Sequence, residues 1–318
     1  MGRLIITVTL NTALDKTFTI PNFSLDRVHR PTEWKIVPGG KGINVSRVLR
    51  ELGLQTLAMG FAGGYTGGMI RRGLEQEGLA SHLVPTAEDS RECITVIDPE
   101  AGTQTEINEN GPRISAGELS ALDDALRARL PETEALVLSG SIPPGVPPDI
   151  YARWISAAKQ EGVFTVLDSS GPALAEGVRA KPDVVKPNRR EFAELTGEDL
   201  LTADEIAARS LALVDTGIPC VLVSLGRAGA VAVTRNEQWV SRSPEIPFVS
   251  AVGSGDAFVA GFLFARHHGE DLEGSLRLAT AAGSANAMTF GAGFCSRECI
   301  LSLAAQVETR RLDLESKD

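Results

Sequence analysis

Six short apolar runs recur along the chain, each followed by a stretch of helical length. They lie at 4–10 (LIITVTL), 56–63 (TLAMGFAG), 135–141 (ALVLSGS), 164–170 (FTVLDSS), 183–188 (DVVKPN) and 220–226 (CVLVSLG). Strands with consecutive apolar residues have no wet face, so they belong in a parallel sheet covered by helices on both sides. Helix patterns near 42–53, 66–78, 115–129, 148–161, 188–196 and 203–215 fill the gaps. The third starts on Ser115 with Glu118 three residues later, a capping box. This alternation predicts a three-layer α/β/α domain with a mostly parallel sheet and right-handed crossovers. At 318 residues, 43% of them hydrophobic, the chain can build that core as one domain over 1–318.

Two segments break the rhythm. Residues 16–37 and 91–107 read as strands and turns, the second as a hairpin around Asp98-Pro99-Glu100-Ala101-Gly102. They are expected to pair as a small β-sheet projecting from the main domain, a lid beside a site. From 255 onward two helices rich in small residues follow, GDAFVAGFLFARHHG and DLEGSLRLATAAGSANAMTFG.

Charge narrows the partners. Lys and Arg total 31 against 41 Asp and Glu, a net charge of −10, which argues against a nucleic-acid footprint and a polybasic membrane surface. No apolar stretch reaches the ~20 residues of a membrane span, so the expected location is the cytoplasm. The four cysteines read as reduced thiols, since the Cys295/Cys299 spacing has no second Cys or His pair to complete a zinc set. The four histidines have no neighbours at triad spacing.

Ligands of open α/β sheets bind beyond the carboxyl ends of the strands. There the sequence sets Asn11 and Asp15, then Gly63, Gly64 and Gly67, then Ser139, Gly140 and Ser141. Asp168, Ser169 and Ser170 follow, then Lys186, Asn188 and Glu191, then Ser224, Gly226 and Gly229. Singly, each serves equally well as a turn or cap residue. Neither a Walker A loop nor a dinucleotide fingerprint is present, so a nucleotide must be held otherwise. Gly253-Ser254-Gly255-Asp256 opens a small-residue helix, and consecutive N–H groups at a helix N-terminus suit an anion. Asp256 is then either the cap of that helix or a base aimed at the anion. A second bare stretch, PGGKGINVSRVLRELG at 38–53, exposes backbone at Gly39, Gly40 and Gly42 beside Lys41 and Asn44, which suits the hydroxyl groups of a sugar.

PGGKGINVSRVLRELG and VGSGDAFVAGF resemble the two signatures of the ribokinase-like sugar kinases, the phosphofructokinase B group. TLN-x-x-LD from Thr9 to Asp15, SGSIPPG, LDSSG, VKPNRREF and VSLGRAGA resemble its branch acting on phosphorylated ketohexoses, and the likeness runs over the whole chain. It implies an α/β ribokinase-like domain that binds ATP with Mg2+, Asp256 as base and the amides of Gly253, Ser254, Gly255 and Asp256 as an anion hole. It also implies a sugar-phosphate site at Asp15, Gly39, Gly40, Lys41, Asn44, Arg91 and Ser139, with Lys41 and Arg91 on the substrate's phosphate. Nucleotide contacts fall at Lys186, Asn188, Glu191, Ser224, Gly226 and Gly229, Asn188 and Glu191 serving Mg2+ indirectly. The implied reaction converts fructose 1-phosphate to fructose 1,6-bisphosphate, fructose 6-phosphate and tagatose 6-phosphate being the alternatives. A ribose or nucleoside kinase and a non-catalytic nucleotide-binding regulator are the rival functions. Relatives also suggest a homodimer joined through the lid. Thr12, Ser254 and Ala251 depart from the family pattern, the last at a monovalent-cation element around Ser250 and Val252.

Overall fold

The computed structural model describes residues 4–312. The first half of the chain runs β1 (Leu4–Thr9), β2 (Ala13–Thr19), β3 (Glu33–Gly39), α1 (Lys41–Glu51), β4 (Thr56–Gly63), α2 (Gly64–Glu77), β5 (Ser81–Thr86), β6 (Arg91–Asp98), β7 (Thr103–Asn108), α3 (Ala116–Arg127), β8 (Thr133–Ser139) and α4 (Ile150–Gln160). The second runs β9 (Phe164–Asp168), α5 (Gly171–Arg179), β10 (Val184–Val185), α6 (Arg189–Thr196), α7 (Ala203–Asp215), β11 (Cys220–Ser224), β12 (Ala230–Val233), β13 (Gln238–Arg242), α8 (Ser254–His267), α9 (Leu272–Ala287), α10 (Arg297–Ala304) and β14 (Glu308–Arg311).

Ten strands form one sheet in the order β14-β13-β12-β11-β10-β9-β8-β1-β4-β5. From β5 to β11 all pairs are parallel; β12, β13 and β14 extend the edge antiparallel. Alternate side chains of one strand enter opposite layers, as the period of two requires. Ile6 and Val8 of β1, with Leu136 and Leu138 of β8, pack under α3, α4, α5 and α7. Ile5, Ala135 and Val137 pack against α1, α8, α9 and α10. The three layers expected from the sequence are present.

Several elements lie outside that expectation. α5, α10 and β5 carry short or mixed patterns, and β12 to β14 form an edge whose last strand, Glu308–Arg311, has no apolar residue. β10 shrinks to two residues because Pro187 has no N–H for the ladder, although Lys186 N still donates to Leu167 O at 2.9 Å and Ser224 N to Pro187 O at 3.2 Å. The capping box at Ser115 and Glu118 forms as read.

β3, β2, β6 and β7 make a separate four-stranded sheet from the two segments that interrupt the rhythm. β2 and β6 are parallel, Asp15 opposite Cys93, while the outer pairs are antiparallel. Asp15, Thr17, Val37, Arg91, Cys93, Thr95, Glu106 and Asn108 face a cleft over the main sheet. The opposite face carries Trp34, Ile36 and Ile107, which are 64%, 44% and 60% exposed. Among the described residues no helix is long and apolar enough to cross a membrane. The expected domain limits at 1 and 318 lie outside the described residues.

Candidate active site

The cleft encloses about 1100 Å³ between the carboxyl ends of the central strands, the small sheet and the start of α8. Fourteen of the seventeen residues that the resemblance assigns to the site line it: Asp15, Gly40, Lys41, Asn44, Arg91, Lys186, Asn188, Ser224, Gly226, Gly229, Gly253, Ser254, Gly255 and Asp256. Gly39, Ser139 and Glu191 stand behind that wall. A methyl group on Gly39 would sit 2.0 Å from Asp15 Oδ2, so this glycine makes room for the carboxylate. Ser139 is fully buried, its hydroxyl without a hydrogen-bond partner among the described residues.

The start of α8 carries no side-chain cap. Gly253 has φ of 80°, and a Cβ there would come 2.6 Å from Ala292 Cβ, so only glycine turns this corner. The carboxylate of Asp256 makes no cap to its own helix. Instead Asp256 is 5% exposed and its Oδ2 accepts from Asn44 Nδ2 at 2.8 Å, across from α1. The expected ring of four amides shrinks to two. Ser254 N donates to Ala251 O and Asp256 N to Gly253 O, both at 3.1 Å, because the first turn is wound tightly. The N–H groups of Gly253 and Gly255 have no acceptor among the described residues. Two amides and a carboxylate therefore face the same cleft.

Below them lies an ion cluster. Asp168, at the end of β9 and without solvent exposure, takes Lys41 Nζ at 2.9 Å on one oxygen and Lys186 Nζ at 3.3 Å on the other. Lys41 is also 3.7 Å from Glu191. Burial works against the Asp168 carboxylate, but the two ammonium groups hold it below the ordinary carboxylate range. Burial likewise opposes the Lys41 ammonium, and Asp168, Glu191 and Asp256 outweigh it and push its pKa up. Asp256 goes the other way, to about 7, chiefly from burial and then from the charge of Asp168, against Lys41, Asn44 and Lys186. Lys41 is thus drawn to Asp168 while still lining the cleft. The attraction of a fully buried carboxylate is the reason.

On the small-sheet side the guanidinium of Arg91 is fixed by backbone, Nε donating to Asn11 O at 3.2 Å and Nη1 to Glu109 O at 3.0 Å. Burial pushes Asp15 up to about 6, countered by Arg91 and Arg47. On the opposite side, a tight turn at Gly226–Ala228 follows β11. A Cβ on Gly229 would come 1.9 Å from Ser241 O, so the chain passes there without a side chain. Asn188 and Glu191 form a reciprocal capping box at α6, Asn188 Oδ1 accepting from Glu191 N at 2.9 Å and Glu191 Oε2 from Asn188 N at 2.8 Å.

Residues 8–299 match the model of the pfkB family carbohydrate kinases. The chain belongs to that family. It is 35% identical over 309 residues to 1-phosphofructokinase of Bacillus subtilis (strain 168), covering 97% of this chain and 100% of that protein. To tagatose-6-phosphate kinase of Staphylococcus epidermidis it is 35% identical over 308 residues, 96% of this chain and 99% of that one. The crystal structure of a possible 1-phosphofructokinase from Thermotoga maritima has a TM-score of 0.90 and 30% identity, covering 98% of this chain and 100% of that chain. The protein is an ATP-dependent carbohydrate kinase on the ribokinase-like α/β fold.

Direct ligation of Mg2+ does not fit what this kinase offers. Asn188 and Glu191 are closed on each other, and among the described residues no group of three or more His, Cys, Asp or Glu could hold a metal ion. An indirect role through Glu191 Oε1, which the cap does not use and which faces Lys41 Nζ at 3.7 Å, fits the donor set. Two residues gained roles that the sequence left open. In the sequence Asp168 is one rim residue among many, a charge ending an apolar strand inside the LDSSG run. Arg47 lies on a helix whose sequence signal is its apolar face.

Proposed function

We propose that this kinase transfers the γ-phosphoryl group of ATP to a hydroxyl of a phosphorylated ketohexose, fructose 1-phosphate in the first place. The observation that carries the reading is Asp256, a buried carboxylate that leaves its own helix uncapped and faces the cleft beside the open amides of Gly253 and Gly255. Phosphoryl transfer asks a protein for positioning and charge stabilisation more than for covalent chemistry. Asp256 orients the acceptor hydroxyl and takes its proton as the new O–P bond forms. The two amides meet the equatorial oxygens of the phosphoryl group, a preorganised contact worth on the order of 3 kcal/mol per donor. Lys41 and Lys186, held by Asp168, supply positive charge on the same side. Mg2+, arriving with the nucleotide, would neutralise part of its phosphate charge.

Arg91, pinned at the small sheet and lining the cleft, is the cation that suits the substrate's own phosphate. Asp15 beside it suits a sugar hydroxyl. The nucleotide then takes the side of Ser224, Gly226, Gly229 and Asn188. The small sheet acts as a lid that excludes water from the phosphoryl group. Its outer face, with Trp34, Ile36 and Ile107 in water, fits a second copy of this chain, giving a homodimer. The names of the Bacillus and Staphylococcus relatives support a ketohexose phosphate, and support fructose 6-phosphate and tagatose 6-phosphate as the alternatives.

Coupled ADP release with fructose 1-phosphate, fructose 6-phosphate, tagatose 6-phosphate and ribose tests the substrate. The highest kcat/KM should fall on fructose 1-phosphate; preference for ribose would overturn the phosphorylated class. Asp256→Asn should keep ATP and sugar binding within a fewfold and lower kcat by at least ~10². Turnover at the parent rate in that variant would end the reading.

A further inference from the structure

Asn44 reaches Asp256 with its donor end, yet an amide side chain can turn either end toward a neighbour. What settles its direction lies one turn further along α1. Arg47 is 5% exposed, and its Nη1 donates to Asn44 Oδ1 at 2.9 Å. A guanidinium only donates, so the end of Asn44 that faces it must be the carbonyl, and Nδ2 is left for the carboxylate. The rest of the fork is spoken for. Nη1 also donates to Ala292 O at 2.9 Å, Nη2 to Pro38 O at 2.7 Å and to Glu77 Oε1 at 3.1 Å, and Nε to Glu77 Oε2 at 2.7 Å. Those acceptors are not scattered. Pro38 precedes the Gly39-Gly40 turn, Ala292 is the residue against which Gly253 packs, and Glu77 ends α2.

We infer that Arg47 is a positioning residue for phosphoryl transfer, acting through Asn44 to aim a hydrogen bond at Asp256 and holding the two glycine corners of the cleft at a fixed separation. The inference rests on Asp256 being the base. A chain Glu77–Arg47–Asn44–Asp256 thus links α2, α1 and α8, and of its members Asn44 and Asp256 line the cleft while Arg47 and Glu77 stand behind it. A buried charge with a single long-range purpose would be a poor stabiliser, whereas a paired guanidinium with five hydrogen bonds holds geometry.

Asp256 is faced by Asn44 and Lys41 from α1, Asp168 from β9 and Lys186 after β10; Arg47 is faced by Glu77, Lys35 and, at longer range, Asp15. With Arg47 present, the amide donates to the carboxylate and favours its charged form. Without it, the amide turns freely, the carboxylate loses that donor, and Asp256 becomes harder to deprotonate. The acid limb of the kcat profile must therefore move to higher pH.

The test is a double-mutant cycle on the full chain. Arg47→Met should lower kcat by about 10-fold or more, change the KM for ATP little, and move the acid limb upward. Arg47→Lys should behave the same way, because a single nitrogen cannot reach the acceptors that Nε, Nη1 and Nη2 reach separately; recovery by lysine would reduce the role to charge and overturn the inference. In an Asn44→Ala background, Arg47→Met should move the limb no further. A shift that persists there would run through Asp15 or through general loosening, and would also overturn it. If Arg47→Met does not fold, Glu77→Ala carries the test, with an upward limb expected and an unmoved limb decisive against. Asp256→Asn is assayed alongside: loss of turnover there with no effect at Arg47 discards only the positioning role, while retained turnover discards the base itself.

Discussion

Asp256 carries a carboxyl whose pKa lies at about 7 in the folded chain against 3.8 for the free side chain. A base of that strength is half deprotonated at neutral pH, where proton affinity and availability are balanced. The expected kcat/KM profile accordingly has an acid limb near pH 7, and a limb near 4 would assign it to another group. The same shift has a cost in stability whose sign is fixed. Between about pH 4 and 7 the folded state keeps a proton that the unfolded chain has released, so stability falls as pH rises through this window and the full penalty stands above 7. Asp256→Asn removes the titration. It should raise Tm at pH 8, by the equivalent of at most about 4 kcal/mol, and leave Tm nearly unchanged at pH 4. Thermal unfolding at the two pH values checks this. A variant less stable at pH 8 would mean that the carboxylate's bonds to Asn44 and the lysines outweigh its burial.

At the level of elements, helix starts serve two different ends here. α3 and α6 begin with capping boxes that consume their first amides internally. α8 begins on a left-handed glycine with no side-chain cap, and two of its amides stay open. An uncapped start is worth about 1 kcal/mol less than a capped one, a cost compatible with binding an anion there. Gly253→Ala tests the corner against a control. It combines a left-handed backbone with a contact to Ala292 of 2.6 Å, whereas Gly102 has φ of 63° and nothing within 4 Å of the added Cβ. Gly102→Ala should cost about 1 kcal/mol of stability and leave kcat within a fewfold. Gly253→Ala should lose kcat by more than 10-fold as the corner shifts off the phosphoryl position. Equal kcat in the two would detach the corner from the chemistry.

On the scale of the molecule, two sheets of different purpose share one cleft. The large sheet is buried on both faces and fixes the strand ends rigidly. The small sheet has one face on the cleft and one in water, and its hairpin touches the site's far side where Ser250 Oγ donates to Gln104 Oε1 at 3.1 Å. An outward face with Trp34, Ile36 and Ile107 in water is stable only if something covers it or charge surrounds it. A Trp34→Glu, Ile107→Glu pair should convert a dimeric protein to monomers in sedimentation experiments. A wild-type chain that sediments as a monomer at micromolar concentration would refute the proposed assembly.

The layered fold was legible in the sequence because it depends on local patterning. Runs such as 56–63 and 220–226 have no polar face, and that alone places them in a covered parallel sheet. The segments at 16–37 and 91–107 announced themselves by lacking helices. Polar edge strands such as Glu308–Arg311 left no trace, since they exist only where a neighbouring strand offers free backbone groups. Most of the cleft could be read as well, because glycine corners and strand-end polar residues are local signals. What tertiary structure alone decided was the use of each charge. Lys41 looks free until the fold sets a fully buried Asp168 beside it, Asp256 reads as either cap or base until its helix begins without a side-chain cap, and Arg47 looks like one more helix residue until its donors meet carbonyls 9 and 245 positions away. Electrostatic energy depends on distance and on exclusion of water, and neither is a property of the chain before it folds.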